Sequence, residues 1–239
     1  MIVLLTDFGQ GEYVGVMRGV IYKIAPEVKV VDLCHDISPQ SIVEGSWILK
    51  NNYGFFPEGA IFCCVVDPGV GTERRALAVR TGSLYFVAPD NGLLWEAIKE
   101  QEIVKIRELS ASEDASKTFH GRDVFAGAAA DISLGNYEGL GPEAEGLEKL
   151  ELYLNGREGL IVRVDRFGNI ITNLPREAKD AYRVEIRGRE YAMGFHETYS
   201  EAPENELFLI EGSCGTLEIS LKNGNDTLNV GSGERIAIR

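Results

Sequence analysis

The sequence predicts an α/β fold in two parts: an N-terminal α/β domain with a mainly parallel sheet over residues 1–150, and a C-terminal small β-barrel domain over residues 151–239. Three observations carry this reading. Short apolar runs alternate with helical segments through the first half of the chain, the order of elements that builds a parallel sheet flanked by helices. The composition then changes at GNYEGLGPEAEG (135–146), a Gly/Pro/Glu-rich stretch with the character of a boundary. Beyond it, short β-like runs follow one another between Gly, Asn and Pro, the spacing of a small barrel or sandwich.

In order, IVLLT (2–6) is a short apolar strand ending at Asp7, and FGQGE leads into a helix, YVGVMRGVIYKIAP, closed by Pro26. VKVVD (28–32) repeats the strand pattern. A second helix around SIVEGSWILKNN passes through FFPEG into AIFCCVV and Asp67; ALAVR, LYFVAPDNG and a helix LLWEAIKE follow. An amphipathic helix is expected near GRDVFAGAAADISLG (121–135). In the second part the strands read GLIVRVD, NIITNL, YRVEIRG, ELFLIE, GTLEISL and ERIAIR. Strands ending at Asp7, Asp32 and Asp67 matter for function, because open α/β sheets bind ligands outside the carboxyl ends of their strands.

Composition narrows the partners. A chain of 239 residues, 44% of them apolar, can bury a sizeable core. A formal charge of −13 argues against nucleic acid and anionic membrane, which both require a Lys/Arg surplus, and favours neutral or cationic small ligands. No run approaches the ~20 apolar residues that span a bilayer, and MIVLLTDFG has no basic leader, so a cytoplasmic protein is expected. Cys34, Cys63, Cys64 and Cys214 show no metal or redox spacing, and His35, His120 and His196 have no partner at ligand distance, so no metal site is expected.

Each motif has a plain structural use beside its chemical one. GQGEYVG (9–15) follows a strand and opens a helix, but its GxGxxxG spacing departs from the dinucleotide fingerprint, and the glycines also serve a tight turn. Asp7 suits either a turn residue or a carboxylate accepting both hydroxyls of a ribose. In DPGVGTER (67–74), two glycines and Pro68 shape a loop between a carboxylate at a strand end and a guanidinium seven residues on; a salt bridge closing the loop and a site are compatible. TFHGRD (118–123) sets His120 before a helix of small residues, with Arg122 and Asp123 as a local pair. VDRFGNIITN (164–173) reads as a hairpin carrying Asp165 and Asn169, and EGSCGTLEI (211–219) is a Gly-rich turn able to read a planar heterocycle.

Taken together, TDFG, DPGVGTERR, APDNGLL, TFHGRDVFAGAAA, DRFGNIITN and SCGTLEI resemble, in order and almost from end to end, the S-adenosyl-L-methionine hydroxide adenosyltransferases, relatives of the fluorinase and chlorinase. The resemblance implies hydrolysis of S-adenosyl-L-methionine to adenosine and L-methionine without a cofactor. It implies a homotrimer, with each active site between one subunit's N-terminal domain and its neighbour's C-terminal domain. Asp67, Arg74 and His120 fall on the water-activating residues, with Arg75 the weaker match to the arginine. Asp7 falls on the ribose-binding aspartate, with Phe8 beside it. Asp165 and Asn169 fall on the contacts to the methionine amine and the adenine, and Tyr199 on the stacking aromatic. Ser213, Cys214 and Glu218 complete the substrate-binding set.

The chain departs from the halogenases at Gln40, where they carry Trp, and in possessing DPGVGTER; a halide pocket should avoid so close a carboxylate. The implied chemistry is attack of water at ribose C5′, with neutral methionine leaving from a sulfonium. His120 is the first candidate for the proton acceptor by its ordinary pKa, and which of the three residues takes the proton stays open at this level. A halogenase and a non-enzymatic S-adenosyl-L-methionine or adenosine sensor are the alternatives.

Overall fold

The computed structural model describes residues 1–222, 224 and 228–239, which form two compact units, Met1–Leu150 and Glu151–Arg239. In the first unit, β1 (Ile2–Thr6) is followed by α1 (Glu12–Ile24), β2 (Val30–Cys34), α2 (Ile42–Asn52) and β3 (Ile61–Val65). Then come β4 (Ala76–Thr81), β5 (Tyr85–Pro89), α3 (Trp95–Ile98), β6 (Ile103–Leu109), a π-helical turn (Gly121–Phe125) and α4 (Ala126–Ser133). The strand order is β2-β1-β3-β5-β4-β6, parallel except where β4 runs against β5 and β6.

Both faces of this sheet are covered, which is why its strands read as unbroken apolar runs. Ile2 and Leu4 pack with Met17, Ile21 and the alanines of α4 on one side, while Val3 and Leu5 pack with Ile48, Leu49 and Ile98 on the other. Adjacent Cys63 and Cys64 divide between the same two cores, both fully buried. Burial pushes the Cys63 thiol up to about 12, so it is an inert apolar filler. The Ser41 side chain caps α2 by accepting from Glu44 N at 3.2 Å.

Four details differ from expectation. β2 extends to Cys34, so Asp32 lies within the strand; it pairs with Arg18 and sits 3.1 Å from His35 Nε2, which removes it as a ribose carboxylate for a dinucleotide. The helix expected over LLWEAIKE shortens to Trp95–Ile98. The helix expected over 121–135 opens as a π-turn before α4. Two edge strands, β6 and, in the second unit, Arg189–Gly194, are not evident in the pattern.

The second unit contains β7 (Glu158–Val164), β8 (Ile170–Pro175), β9 (Ala181–Ile186), β10 (Arg189–Gly194), β11 (Leu207–Glu211), β12 (Thr216–Leu221) and β13 (Arg235–Ile238). They form an antiparallel sheet in the order β10-β9-β13-β7-β8-β12-β11. A bridge from Phe195 to Leu209 and a 2.9 Å bond from His196 N to Leu209 O draw the two ends together, so the sheet nearly closes as a barrel. Ile161, Val184, Leu209, Leu217, Ile219 and Ile238 fill the interior.

Candidate functional site

β1 leads to β2 on one side, while β3 lies on the other, so the carboxyl ends of β1 and β3 mark the switch point where a parallel α/β sheet opens a crevice. Thr6 and Val65 are in register there, with Asp7 and Asp67 just beyond them. A cavity of about 300 Å³ occupies the crevice, lined by Asp7, Phe8, Gln40, Asp67, Phe119 and His120 among others.

The DPGVGTER loop folds back by local bonds. Val70 N donates to Asp67 O (3.3 Å), Thr72 N and Oγ1 both donate to Gly69 O (3.1 and 2.7 Å), and Gly71 takes φ +77°. This returns Arg74 onto Asp67: Nε donates to Oδ1 at 2.9 Å and Nη2 to Oδ2. The same Nη2 donates to His120 Nδ1 at 2.9 Å, and the guanidinium lies over the Phe125 ring at 5.3 Å. The Asp67 and Arg74 side chains are 6% and 11% exposed. Arg75 turns the other way, to Asp90 Oδ2 (2.9 Å from Nε) and to the carbonyls of Glu145 and Gly146. Asn91, next along, donates to Val66 O at 2.9 Å and braces the end of β3.

The protonation state of His120 follows from its neighbour. An arginine only donates, so Nδ1 accepts and the ring hydrogen is assigned to Nε2. Burial first, and then the Arg74 charge, lower the His120 pKa against the opposing pull of Asp67 and Asp123. Asp123 itself is held by Arg122 (2.5 and 2.7 Å) and accepts from Ser116 N at 2.8 Å, which ties down the loop ahead of His120.

Asp7 accepts from the backbone N of Gln40 at 2.8 Å, and Gln40 adopts φ +65° to present it. Burial raises the Asp7 pKa, with a smaller contribution from Asp67. Phe8, Tyr13 and Phe119 form an aromatic trio with centroids 5.2–5.8 Å apart, an apolar wall beside the charged group. Tyr13, Gln40 and Phe119 were not singled out as ligand contacts from the sequence; they sit inside or beside the quoted motifs, and only the tertiary fold turns them inward.

The second unit carries a wider cavity of about 1120 Å³, lined by Asp165, Asn169, Tyr199, Ser213 and Glu218, with Arg163, Arg166 and Lys222 as cations. Asp165 closes the β7–β8 turn: Oδ1 accepts from Phe167 N (2.8 Å) and Asn169 N (2.9 Å), and Oδ2 from Asn169 Nδ2 (3.0 Å). Cys214 is exposed on the Gly-rich turn beside this cavity. Tyr199 packs edge-on against Phe208.

Burial, helped by the Asp165 charge, pushes the Glu218 carboxyl up to about 7. A raised carboxyl pKa means that the folded chain holds this proton more tightly than the unfolded one. Its unfavourable effect is therefore absent below the ordinary pKa of 4.5, grows as pH rises, and is complete above about 7. Glu218→Gln is expected to match the wild-type melting temperature at pH 4.5 and exceed it at pH 8 by roughly 2–4 °C, the shift about 1 kcal/mol produces in a chain of this size. Equal melting temperatures at both pH values would show that the carboxyl titrates normally.

Among the described residues, no group of three or more His, Cys, Asp or Glu side chains could hold a metal ion, and no helix is long and apolar enough to cross a membrane.

Comparison with known proteins agrees along the whole chain. Residues 2–141 match the SAM hydroxide adenosyltransferase N-terminal domain, and residues 159–237 match the C-terminal domain. An (R)-S-adenosyl-L-methionine hydrolase of Thermus thermophilus is 39% identical, over 98% of this chain and 97% of that protein. A hydrolase of the same name from Methanocaldococcus jannaschii is 34% identical, over 100% and 95%. The crystal structure of an uncharacterized conserved protein from Thermotoga maritima superposes with a TM-score of 0.89 at 33% identity, covering 100% of both chains. With both domain models matched in order and relatives of this similarity covering nearly its full length, the chain belongs to the SAM hydroxide adenosyltransferase family.

Proposed function

We propose that this protein hydrolyses S-adenosyl-L-methionine to adenosine and L-methionine, acting on the (R)-sulfonium epimer named for its relatives. The observation that carries the reading is the convergence of Asp67, Arg74 and His120 at the switch point of the parallel sheet, where Asp67 and His120 line the cavity and Arg74 bonds to both. A pure sensor has no need of such a set.

In this reading Asp7 accepts the ribose hydroxyls, and the aromatic trio shields the reacting carbon from bulk water. A water held between Asp67 and His120 attacks C5′ in line with the sulfur. The C5′–O bond forms as the C5′–S bond breaks, and its electron pair returns to sulfur, which leaves as a neutral thioether. One proton must be lost, because a cationic substrate and water give two products without the sulfonium charge. The tautomer makes His120 a donor, Nε2–H orienting a lone pair of the water, although its ordinary pKa made it the first candidate for proton acceptor. Asp67 is the acceptor that receives or relays the proton, and Arg74 holds both partners in place and offsets developing hydroxide charge. The reaction needs no cofactor and no general acid.

Asp165, Asn169, Tyr199, Ser213, Cys214 and Glu218 bind the methionine and adenine ends in the same proposal. A homotrimer, in which the N-terminal unit of one subunit and the C-terminal unit of its neighbour complete each site, belongs to it as well; sedimentation equilibrium reads its mass directly. The acidic chain would act in the cytoplasm on this small cation, with no nucleic-acid or membrane partner.

The test is incubation with each sulfonium epimer in halide-free and in chloride buffer, with products resolved by liquid chromatography. Equimolar adenosine and methionine in both buffers, reduced by about 10²-fold or more in His120→Ala, is the expected result. A chlorinated nucleoside would establish the halogenase reading, and binding without product would leave a sensor.

A further inference from the structure

The turn after β1 carries Asp7 and Phe8, and its two following amides are held, one directly and one through Thr6, by His35 just beyond β2. Gly9 N donates to His35 O at 2.7 Å, and Phe8 N donates to Thr6 Oγ1 at 3.3 Å. Thr6 is fully buried, and its Oγ1 lies 2.8 Å from His35 Nδ1. Having accepted from Phe8, the hydroxyl is free to donate its own hydrogen to Nδ1, which places the ring hydrogen on Nε2. Nε2 then faces Asp32 Oδ1 at 3.1 Å, a favourable approach though not an aligned hydrogen bond, and Asp32 is in turn anchored by Arg18. The opposite tautomer would turn a bare nitrogen lone pair toward a carboxylate. Burial and the Arg18 charge hold the His35 pKa near 4, so the ring is neutral at working pH.

A directed chain therefore runs from the Phe8 amide through the Thr6 hydroxyl to the His35 ring. The His35 carbonyl takes the next amide. Apart from these, the Asp7 carboxylate is fixed by Gln40 N. We propose that His35, acting through Thr6, is a positioning residue that sets the Asp7 turn in its ribose-binding geometry; this rests on Asp7 being the ribose anchor of the proposed hydrolase. Its effect belongs to substrate affinity and to recognition of the ribose diol, and the bond-making step at Asp67 does not depend on it.

The test compares Thr6→Val and His35→Leu, which break the chain, with His35→Asn, whose amide keeps an acceptor near the Nδ1 position. Each is made in the wild-type and in the Asp7→Asn background and assayed with S-adenosyl-L-methionine and its 2′-deoxyribose analogue. The first two variants should raise KM about tenfold, the loss of roughly one hydrogen bond, with kcat within about threefold and with weakened discrimination against the deoxy analogue. His35→Asn should stay near wild type. In the Asp7→Asn background neither Thr6→Val nor His35→Leu should raise KM further. Thr6→Val preserves shape and β-branching, so it covers the case in which His35→Leu misfolds. An equal rise in KM with and without Asp7, or a fall in melting temperature alone, would overturn the proposal. Should the wild-type chain fail to hydrolyse S-adenosyl-L-methionine, the functional reading fails separately, and calorimetric affinity for adenosine in the same variants still tests the positioning role.

Discussion

Arg74→Ala is expected to lower turnover by about 10²–10⁴-fold and to destabilise the N-terminal unit by about 3–5 kcal/mol. Both effects have the same origin. The Asp67 side chain is 6% exposed, and Arg74 supplies its bonds from Nε and Nη2, so removing the guanidinium leaves a buried carboxylate unpaired. Breaking a buried pair costs more than the pair contributes, because the remaining charge keeps its desolvation penalty. His120 loses the donor at 2.9 Å that fixes its tautomer, so its Nε2–H is no longer enforced. The double substitution Asp67→Asn with Arg74→Ala should recover most of the stability, since no charge is then stranded, and none of the turnover. Denaturant unfolding and steady-state kinetics on the two variants separate these effects. A single variant of wild-type stability would mean that water reaches the pair, and undiminished turnover would remove Arg74 from the chemistry.

How far the sequence alone reached follows from where each signal resides. The Asp67–Arg74 loop was legible because Pro68, Gly69 and Gly71 encode a local reversal, and a carboxylate at a strand end in an α/β pattern already points to a crevice. Of the two helices beside the first strands, α1 shows apolar spacing at Val14, Met17 and Ile21 and ends before Pro26, and α2 carries the Ser41 cap. The end of β2 was not legible: Asp32 looked like a terminus, but a pairing irregularity beside Leu4 carries the strand on to Cys34. Nor was the π-turn at Gly121–Phe125, which begins at Gly121, where a Cβ would come within 3.1–3.3 Å of nearby Phe119 and of Phe8 and Met17, two residues distant in sequence. The edge strands β6 and β10 bury less of their length, so their patterns blur. The donor role of His120 needed geometry as well, because its tautomer is decided by the nitrogen that meets Arg74.

Gly71→Ala should disrupt the loop that carries Asp67 and Arg74, and Gly59→Ala provides the control. Both glycines adopt φ +77°, so both alanines incur the left-handed backbone penalty of about 1–2 kcal/mol. A Cβ at Gly59 meets nothing within 4 Å, whereas one at Gly71 would collide with the carbonyl oxygen of Lys117. That obstacle is backbone, not the tip of a flexible side chain, so either the 67–74 loop or the segment ahead of His120 must move. Such movement pulls Arg74 and His120 apart, and a misplacement near 1 Å can cost about 10²-fold in rate. Gly59→Ala is therefore expected to lose about 1–2 kcal/mol of stability with kcat unchanged, while Gly71→Ala loses more stability and about 10²-fold in kcat. Thermal unfolding and kcat measured side by side decide the matter. If the two variants behaved alike, the contact between Gly71 and Lys117 would have no part in bringing the Asp67–Arg74 pair to His120; a difference confined to Gly71→Ala would make that contact the link from loop shape to reaction geometry.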